Sequence, residues 1–172
     1  MKNLYYILSV FSILLISSCS VSREAGESQL DEAVVRQAIE SRRFIVKLDR
    51  LYTYGGMMFL RPRANYIIVD GEKAIISTAY VGRQYDIRPI AGINMHGLTS
   101  DYRITGRESR GTYEISMKVG NQASSFDIYL TVGKTGSVSA SVNSIRIESA
   151  RYSGYIVPIG ERPENSEPGE LI

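Results

Sequence analysis

The chain has 172 residues and nearly balanced charge, with 20 lysines and arginines against 18 aspartates and glutamates, and it contains one cysteine and one histidine. A net charge of +2 with no basic cluster excludes the electrostatic footprint of a nucleic-acid-binding protein. One cysteine excludes an intramolecular disulfide, and one histidine leaves no ligand spacing typical of a metal site. We therefore expect no metal, no cofactor and no nucleic-acid partner.

The first residues predict a lipoprotein signal peptide at 1–18. Lys2 precedes an uncharged, mostly apolar run at 4–16. This run is shorter than the about 20 residues that a membrane-spanning helix needs. Ser17-Ser18-Cys19 follows and resembles the bacterial lipobox, whose cysteine thiol carries a lipid and becomes the acylated N-terminus, commonly with palmitate. The alternatives are a plain signal peptide that contains a cysteine, and a free buried thiol.

Lipidation of Cys19 would anchor the mature protein to a membrane, because each buried CH₂ of an acyl chain contributes about 0.8 kcal/mol. Ser20 stands where an inner-membrane retention signal would have aspartate, and residues 19–27, the predicted tether, hold no dense acidic run. We therefore predict an outer-membrane anchor that faces the periplasm, in preference to display on the cell surface.

A single domain is predicted at 28–157, and it begins with a helix. Ser28 can cap this helix, with Asp31 as a weaker capping-box partner. The helix is expected to end near residues 41–43. Its predicted apolar face comprises Leu30, Ala33, Val34, Ala38 and Ile39.

Beyond the helix, apolar residues recur at every second position, which predicts strands. The alternation begins at Phe44, and Asp70-Gly71 lies between two apolar runs and predicts a tight hairpin. Further strands are predicted at 78–87, 101–107, 112–119, 123–132, 137–147 and 151–157. We therefore expect a mainly β fold, with one N-terminal helix and about nine antiparallel strands in a bent sheet, a sandwich or a barrel-like arrangement.

Two stretches lack a regular pattern. Residues 88–100 are predicted to form a long loop, which in a compact domain is either functional or covers something. Residues 158–172 contain three prolines and four glutamates and are predicted to form a flexible acidic tail.

From the helix onward, five short stretches carry a family resemblance through their order and spacing. They are Ser41-Arg42-Arg43-Phe44, Asp49-Arg50-Leu51-Tyr52, residues 79–85, Ser100-Asp101-Tyr102 and residues 152–156. Together they resemble a family of Bacteroidetes lipoproteins known only as a domain of unknown function, number 4251, over residues 30–157. The resemblance implies a lipoprotein with a shared fold, and by its own name the family implies no activity.

Candidate chemistry concentrates between residues 80 and 102. His96, Ser100 and Asp101 invite comparison with a catalytic triad, but a nucleophile, a base and an orienting group must converge in space, which adjacency does not establish. A lone loop histidine is more often exposed or bonded to the backbone. We therefore predict no catalytic residue and favour a protein that is not an enzyme.

The segment Tyr80–Asp86 is the richest in binding side chains. Gly82 inside a predicted strand indicates a bulge or the close approach of another group. Arg83 beside Tyr85 could hold an anion or stack on the ring. The alternative is that Gly82 bends the sheet and Arg83 pairs with a buried aspartate, such as Asp49 or Asp101. The candidate binding residues are Tyr80, Arg83, Tyr85, His96, Asp101 and Tyr102.

These patterns predict an envelope-anchored lipoprotein that binds a small molecule or another envelope protein without catalysis. The alternative is a hydrolase of envelope glycans that uses two facing carboxylates among Asp86, Asp101, Glu108 and Glu114. A third hypothesis is a structural partner of an outer-membrane machine, contacted through the acidic tail. The oligomeric state cannot be inferred from these patterns.

Overall fold

A computed structural model describes residues 30–82, 92–107 and 111–160. Its elements are one helix, α1 (Glu32–Glu40), and nine strands: β1 (Arg43–Thr53), β2 (Gly56–Phe59), β3 (Tyr66–Asp70), β4 (Lys73–Ala79), β5 (Gly92–Arg107), β6 (Thr112–Gly120), β7 (Ser125–Gly133), β8 (Ser137–Ser144) and β9 (Ile147–Pro158). The expected mainly β fold with one N-terminal helix is therefore confirmed. The predicted signal peptide, the tether and the tail beyond residue 160 lie outside the described residues.

Eight of the strands close into an antiparallel barrel. Each strand from β3 to β9 pairs with the next along the chain, β1 pairs with β3, and β9 returns to pair with β1. The ninth strand, β2, lies outside the ring and pairs only with the last four residues of β1. Of the three expected arrangements, the barrel-like one is correct. The pairing of β1 with β9 closes the sheet, so that neither strand has an unpaired edge along this contact.

Side chains that point inward fill the barrel. The alternating burial along β1, β3, β4, β6, β7 and β8 is the period-two pattern predicted from sequence. Phe44, Leu48, Ile67, Ile128 and Tyr152 are fully buried members of one continuous core. The interior of an eight-stranded barrel is narrow enough for side chains to fill it, as they do here.

Helix α1 packs over one end of the barrel. Its first turn is capped by Asp31, whose side chain accepts a hydrogen bond from the Ala33 N–H at 3.1 Å. The predicted cap, Ser28, lies outside the described residues. Val35, Ala38 and Ile39 are buried, whereas Ala33 and Val34 are exposed and were wrongly assigned to the apolar face. The helix ends at Glu40 with Ser41 as its C-cap, close to the predicted end at residues 41–43.

Three strand predictions were wrong. Residues 92–100 belong to the long strand β5 and not to a loop, because Ile93 and Met95 point inward and alternate with exposed residues. Residues 80–82 do not continue the strand predicted at 78–87, since β4 ends at Ala79. Strand β2 was not predicted at all, because all four of its residues are exposed and show no alternation.

The boundaries of the last strands also differ from those predicted. A turn at residues 145–146 separates β8 from β9 inside the strand predicted at 137–147. Strand β9 continues to Pro158, and the Ile159 N–H donates to the Arg43 carbonyl at 3.1 Å, so the barrel includes the first residues of the predicted tail. Within the described ranges, no helix is long and apolar enough to cross a membrane.

Candidate functional site

The two ends of the barrel differ in how they are covered. At the helix end, α1 packs beside the start of β1, the end of β9 and the turn between β7 and β8, where the Leu30 N–H donates to the Thr135 carbonyl at 3.2 Å. The antiparallel order places the end of β1, the end of β4 and the turn between β8 and β9 at the opposite end. We call this opposite end the distal end.

A groove of about 340 Å³ lies at the distal end, and we call it the distal groove. The pairing of β1 with β9 builds it, because the register places Tyr52 directly opposite Arg151. The lining residues are Tyr52, Thr53, Tyr54, Val81, Gly82, Glu148, Ser149 and Arg151. The groove therefore combines two aromatic rings with one carboxylate and one guanidinium.

Hydrogen bonds orient the groove tyrosines. The Tyr54 hydroxyl donates to Glu148 Oε1 at 2.9 Å, although the residue is 93% exposed. The Tyr52 hydroxyl donates to Ser153 Oγ at 3.3 Å, and this serine donates to Asp49 at 3.4 Å. These hydrogen bonds fix the hydroxyl groups of Tyr52 and Tyr54, whose rings line the groove.

Arg151 is a groove residue whose side chain has no partner among the described residues. Its side chain is exposed, and it makes no ion pair or hydrogen bond with the described parts of the chain. A guanidinium beside aromatic faces binds carboxylates and phosphates through paired N–H donors. The groove can therefore hold an anionic group.

Two buried tyrosines support the distal groove from inside. Tyr152 is fully buried and its hydroxyl donates to the Ala79 carbonyl at 3.0 Å. Burial raises the pKa of Tyr152 to about 12, a shift opposed by a hydrogen bond with Thr78 and reinforced by Tyr80. The Tyr80 hydroxyl donates to the Glu148 carbonyl at 3.3 Å. These bonds fix the end of β4 against β9.

Tyr80 and Tyr102, both predicted binding residues, lie at opposite ends of the barrel. Tyr80 is 5% exposed and packs into the core behind the distal groove. Gly82 lies so close to it that a Cβ there would be 2.6 Å from the Tyr80 hydroxyl oxygen, which is the close approach anticipated for this glycine. Tyr102 reaches the helix end, where its hydroxyl donates to the Ile39 carbonyl at 2.8 Å and Arg42 lies over its ring at 4.7 Å.

The other predicted binding residues do not join these two. His96 is exposed on β5, and its carbonyl accepts a hydrogen bond from Asn121. Asp101 has a left-handed backbone (φ 53°) in an irregularity of β5, and its carboxylate lies 3.8 Å from Lys118. Arg83 and Tyr85 lie outside the described residues. The structure therefore does not bring the four described residues into one surface, and a role in binding for any of them stays a prediction.

The carboxylates proposed for glycan hydrolysis do not form a facing pair among the described residues. Asp86 and Glu108 lie outside those residues, Asp101 is engaged by Lys118, and Glu114 lies opposite Thr105, four positions further along β5 than Asp101. Lys118 lies opposite Asp127 in the register of β6 and β7, in a shallow groove of about 250 Å³. Within the described ranges, no three His, Cys, Asp or Glu side chains cluster as metal ligands.

The residues of the distal groove were missed by the sequence analysis. Alternation with the buried Leu51 would have placed Tyr52 on the outer face of β1. Nothing local indicates that Arg151 is its neighbour, because that depends on the register between β1 and β9. A search for motifs within one segment cannot find a site that two distant strands share.

Comparison with known proteins identifies the family but no activity. None of the curated proteins compared matches the chain. The chain is similar to the crystal structure of a DUF4251 family protein from Bacteroides eggerthii DSM 20697, with a TM-score of 0.63 and 17% identity, over 74% of this chain and 87% of that one. This similarity supports a common fold. The family model for the domain of unknown function DUF4251 matches residues 26–156, so the chain belongs to the DUF4251 family.

Proposed function

We propose that this protein is a lipid-anchored envelope protein that binds a small molecule or another envelope protein in the distal groove, without catalysis. One observation carries the proposal: the exposed guanidinium of Arg151 shares a groove with the rings of Tyr52 and Tyr54 and makes no ion pair with the described residues. A cation held beside aromatic faces is suited to an anionic ligand group.

The packing of the barrel supports a binding site on its outside. Some β-barrels, eight-stranded ones among them, enclose a ligand in the interior, but here the inward-facing side chains of the described strands form a continuous core. Within the described part of the chain, the distal groove offers a surface site of about 340 Å³. This volume lies at the lower end of the range for small-molecule sites. It suits a compact carboxylate or phosphate ligand, or one acidic side chain of a protein partner.

The proposed lipid anchor rests on the sequence at residues 1–19. A positive residue, an apolar run, two serines and Cys19 follow one another in the order of a lipoprotein signal. The proposed location remains the outer membrane, facing the periplasm. We do not advance the glycan hydrolase, because no observation favours it.

Native mass spectrometry of the protein extracted from its own envelope tests this function. A bound ligand or subunit should appear as a reproducible extra mass beyond the acylated chain. Arg151→Ala should remove that mass, because the variant loses the cation but no contact of the core. Tyr52→Ala should weaken it by removing a ring from the groove.

Arg103→Ala is the matched control. Arg103 is an exposed arginine on β5, away from the distal groove, and it makes no ion pair with the described residues. The control should keep the extra mass. A bare acylated chain, or an extra mass that Arg151→Ala retains in full, would refute binding in the distal groove.

A further inference from the structure

Strand β2 forms an arm on the outside of the barrel that exposes apolar side chains on both faces. It pairs only with β1, so its other edge has no strand partner within the described ranges. Met57 and Phe59 point to one face and Met58 to the other, because side chains alternate along a strand. Their exposed fractions are 43%, 78% and 47%. An apolar edge strand is a template for another extended chain.

Three arginines lie beside this arm in the sequence, and two of them have no carboxylate partner among the described residues. Arg61 and Arg63 follow β2, both are exposed, and neither makes an ion pair or a side-chain hydrogen bond with the described residues. Among the described residues, Arg50 pairs with the neighbouring Asp49 alone, at 3.8 Å. Residues 50–63 contain these three arginines and no aspartate or glutamate. An occupant of the arm should therefore be acidic as well as apolar.

We propose that residues 161–172 of this chain are the segment that covers the β2 arm. Their chemistry is complementary to it, with four carboxylates, one arginine and two adjacent apolar residues: Glu161, Glu164, Glu167, Glu170, Arg162, Leu171 and Ile172. The glutamates would pair with Arg61 and Arg63. The leucine and isoleucine would cover the exposed methionines and Phe59. This contact is separate from the distal groove and does not depend on it.

The chain leaves the barrel within reach of the arm. The N–H of Ile159 bonds to the carbonyl of Arg43, which fixes the exit beside the start of β1. Phe59 lies opposite Arg50, about 23 Å further along β1 at about 3.3 Å per residue. Residues 161–172 can extend over about 40 Å. Because the segment is tethered, its effective concentration at the arm is high, and weak contacts suffice to populate the docked state.

Oxidation of methionine by hydrogen peroxide, followed by mass spectrometry of the full acylated chain, tests the contact. Met57 and Met58 report on the arm, and the buried Met95 and Met117 report on the fold of the same molecule. Changing the four glutamates to glutamine should speed oxidation of Met57 and Met58 about threefold. This factor assumes that the segment covers the arm about two-thirds of the time, so that the methionines are accessible for about one-third of the time before the change and always after it. The two buried methionines should oxidise as before.

Two matched variants and one salt titration complete the test. Glu72→Gln with Glu114→Gln removes two exposed carboxylates elsewhere and should change nothing. Arg61→Gln with Arg63→Gln should match the effect of the glutamine variant, and the combination should add nothing further. On the unmodified chain, raising the salt to about 0.5 M should itself speed oxidation of Met57 and Met58, which tests the contact even where a variant misfolds.

Three outcomes would overturn the proposal. Equal oxidation of Met57 and Met58 in every variant and at every salt concentration would mean that the arm is not covered. Protection that increases with protein concentration would assign the arm to a second copy of the chain. Protection found only in membranes, and lost in the purified protein, would assign it to the bilayer or to a partner embedded there.

Discussion

The hydroxyl of Tyr102 donates a hydrogen bond of 2.8 Å to the carbonyl oxygen of Ile39 and so joins β5 to the last turn of α1. Tyr102 follows Asp101, whose left-handed backbone lies where the pairing of β5 with β6 shifts register. An irregularity of this kind redirects side chains. The tyrosine consequently packs against the core at the helix end, and a residue predicted to bind a ligand holds the helix on the barrel.

Tyr102→Phe should lower the free energy of unfolding by about 1 kcal/mol, the usual net contribution of one hydrogen bond. Urea denaturation followed by circular dichroism measures this difference. Tyr129→Phe is the control, because Tyr129 is exposed on β7. If Tyr102→Phe is as stable as the parent, the bond to Ile39 contributes nothing and the helix is held by its apolar face alone.

Alkaline pH should destabilise the protein through its buried tyrosines. Burial raises the pKa of Tyr152 from 10.0 to about 12, and burial also raises the pKa of Tyr102, against the opposing charge of Arg42. Above pH 10 the unfolded chain binds fewer protons than the folded one, so stability falls as pH rises. Each tyrosine contributes a slope of about 1.4 kcal/mol per pH unit between its two pKa values. Below pH 10 this stabilisation is fully present.

Urea denaturation at pH 9, 10 and 11 of the parent and of Tyr152→Phe isolates this effect from the titration of lysines. The variant lacks the hydroxyl, so the stability difference between the two chains should shrink in favour of the variant as pH rises above 10. A difference that stays constant over this range would contradict the raised pKa of Tyr152.

Gly154 is predicted to be irreplaceable where β9 approaches β1. A Cβ at this position would overlap the carbonyl oxygen of Lys47, which belongs to the backbone and cannot move aside. Gly154→Ala should therefore cost about 3 kcal/mol or more, or prevent folding. Gly106→Ala is the control, because a Cβ there meets no atom within 4 Å. Equal thermal stability of the two variants would show that β1 and β9 can separate without loss.

Cys19→Ser should abolish lipidation. The variant should retain the signal peptide and lose the incorporation of a palmitate analogue, which intact-mass spectrometry and metabolic labelling detect. Ser20→Ala should leave the lipid in place, because the acceptor thiol is unchanged. Labelling of Cys19→Ser equal to that of the parent would refute the lipobox interpretation.

Local patterns in the sequence were sufficient for the helix and for most of the strands. The hairpin at Asp70-Gly71 is present, with Gly71 at φ 64°, because a tight turn between two apolar runs is specified by the turn residues themselves. The long strand β5 was missed at its start, since glycines and His96 obscured the alternation of Ile93 with Met95. Strand β2 has no buried face, so its pattern carried no signal.

The sequence by itself determined the elements whose signals are local: the helix, most of the period-two strands and the tight turn. Lipid attachment at Cys19 stays a prediction from the sequence. Only the tertiary structure decided that the sheet closes, because closure depends on the pairing of the first strand, β1, with the last strand, β9. The same pairing places Tyr52 beside Arg151, and the pairing of β4 with β5 places Tyr80 and Tyr102 at opposite ends of the barrel. The physical reason is that strand register is set by the packing of the whole core, to which every strand contributes and which no single segment encodes.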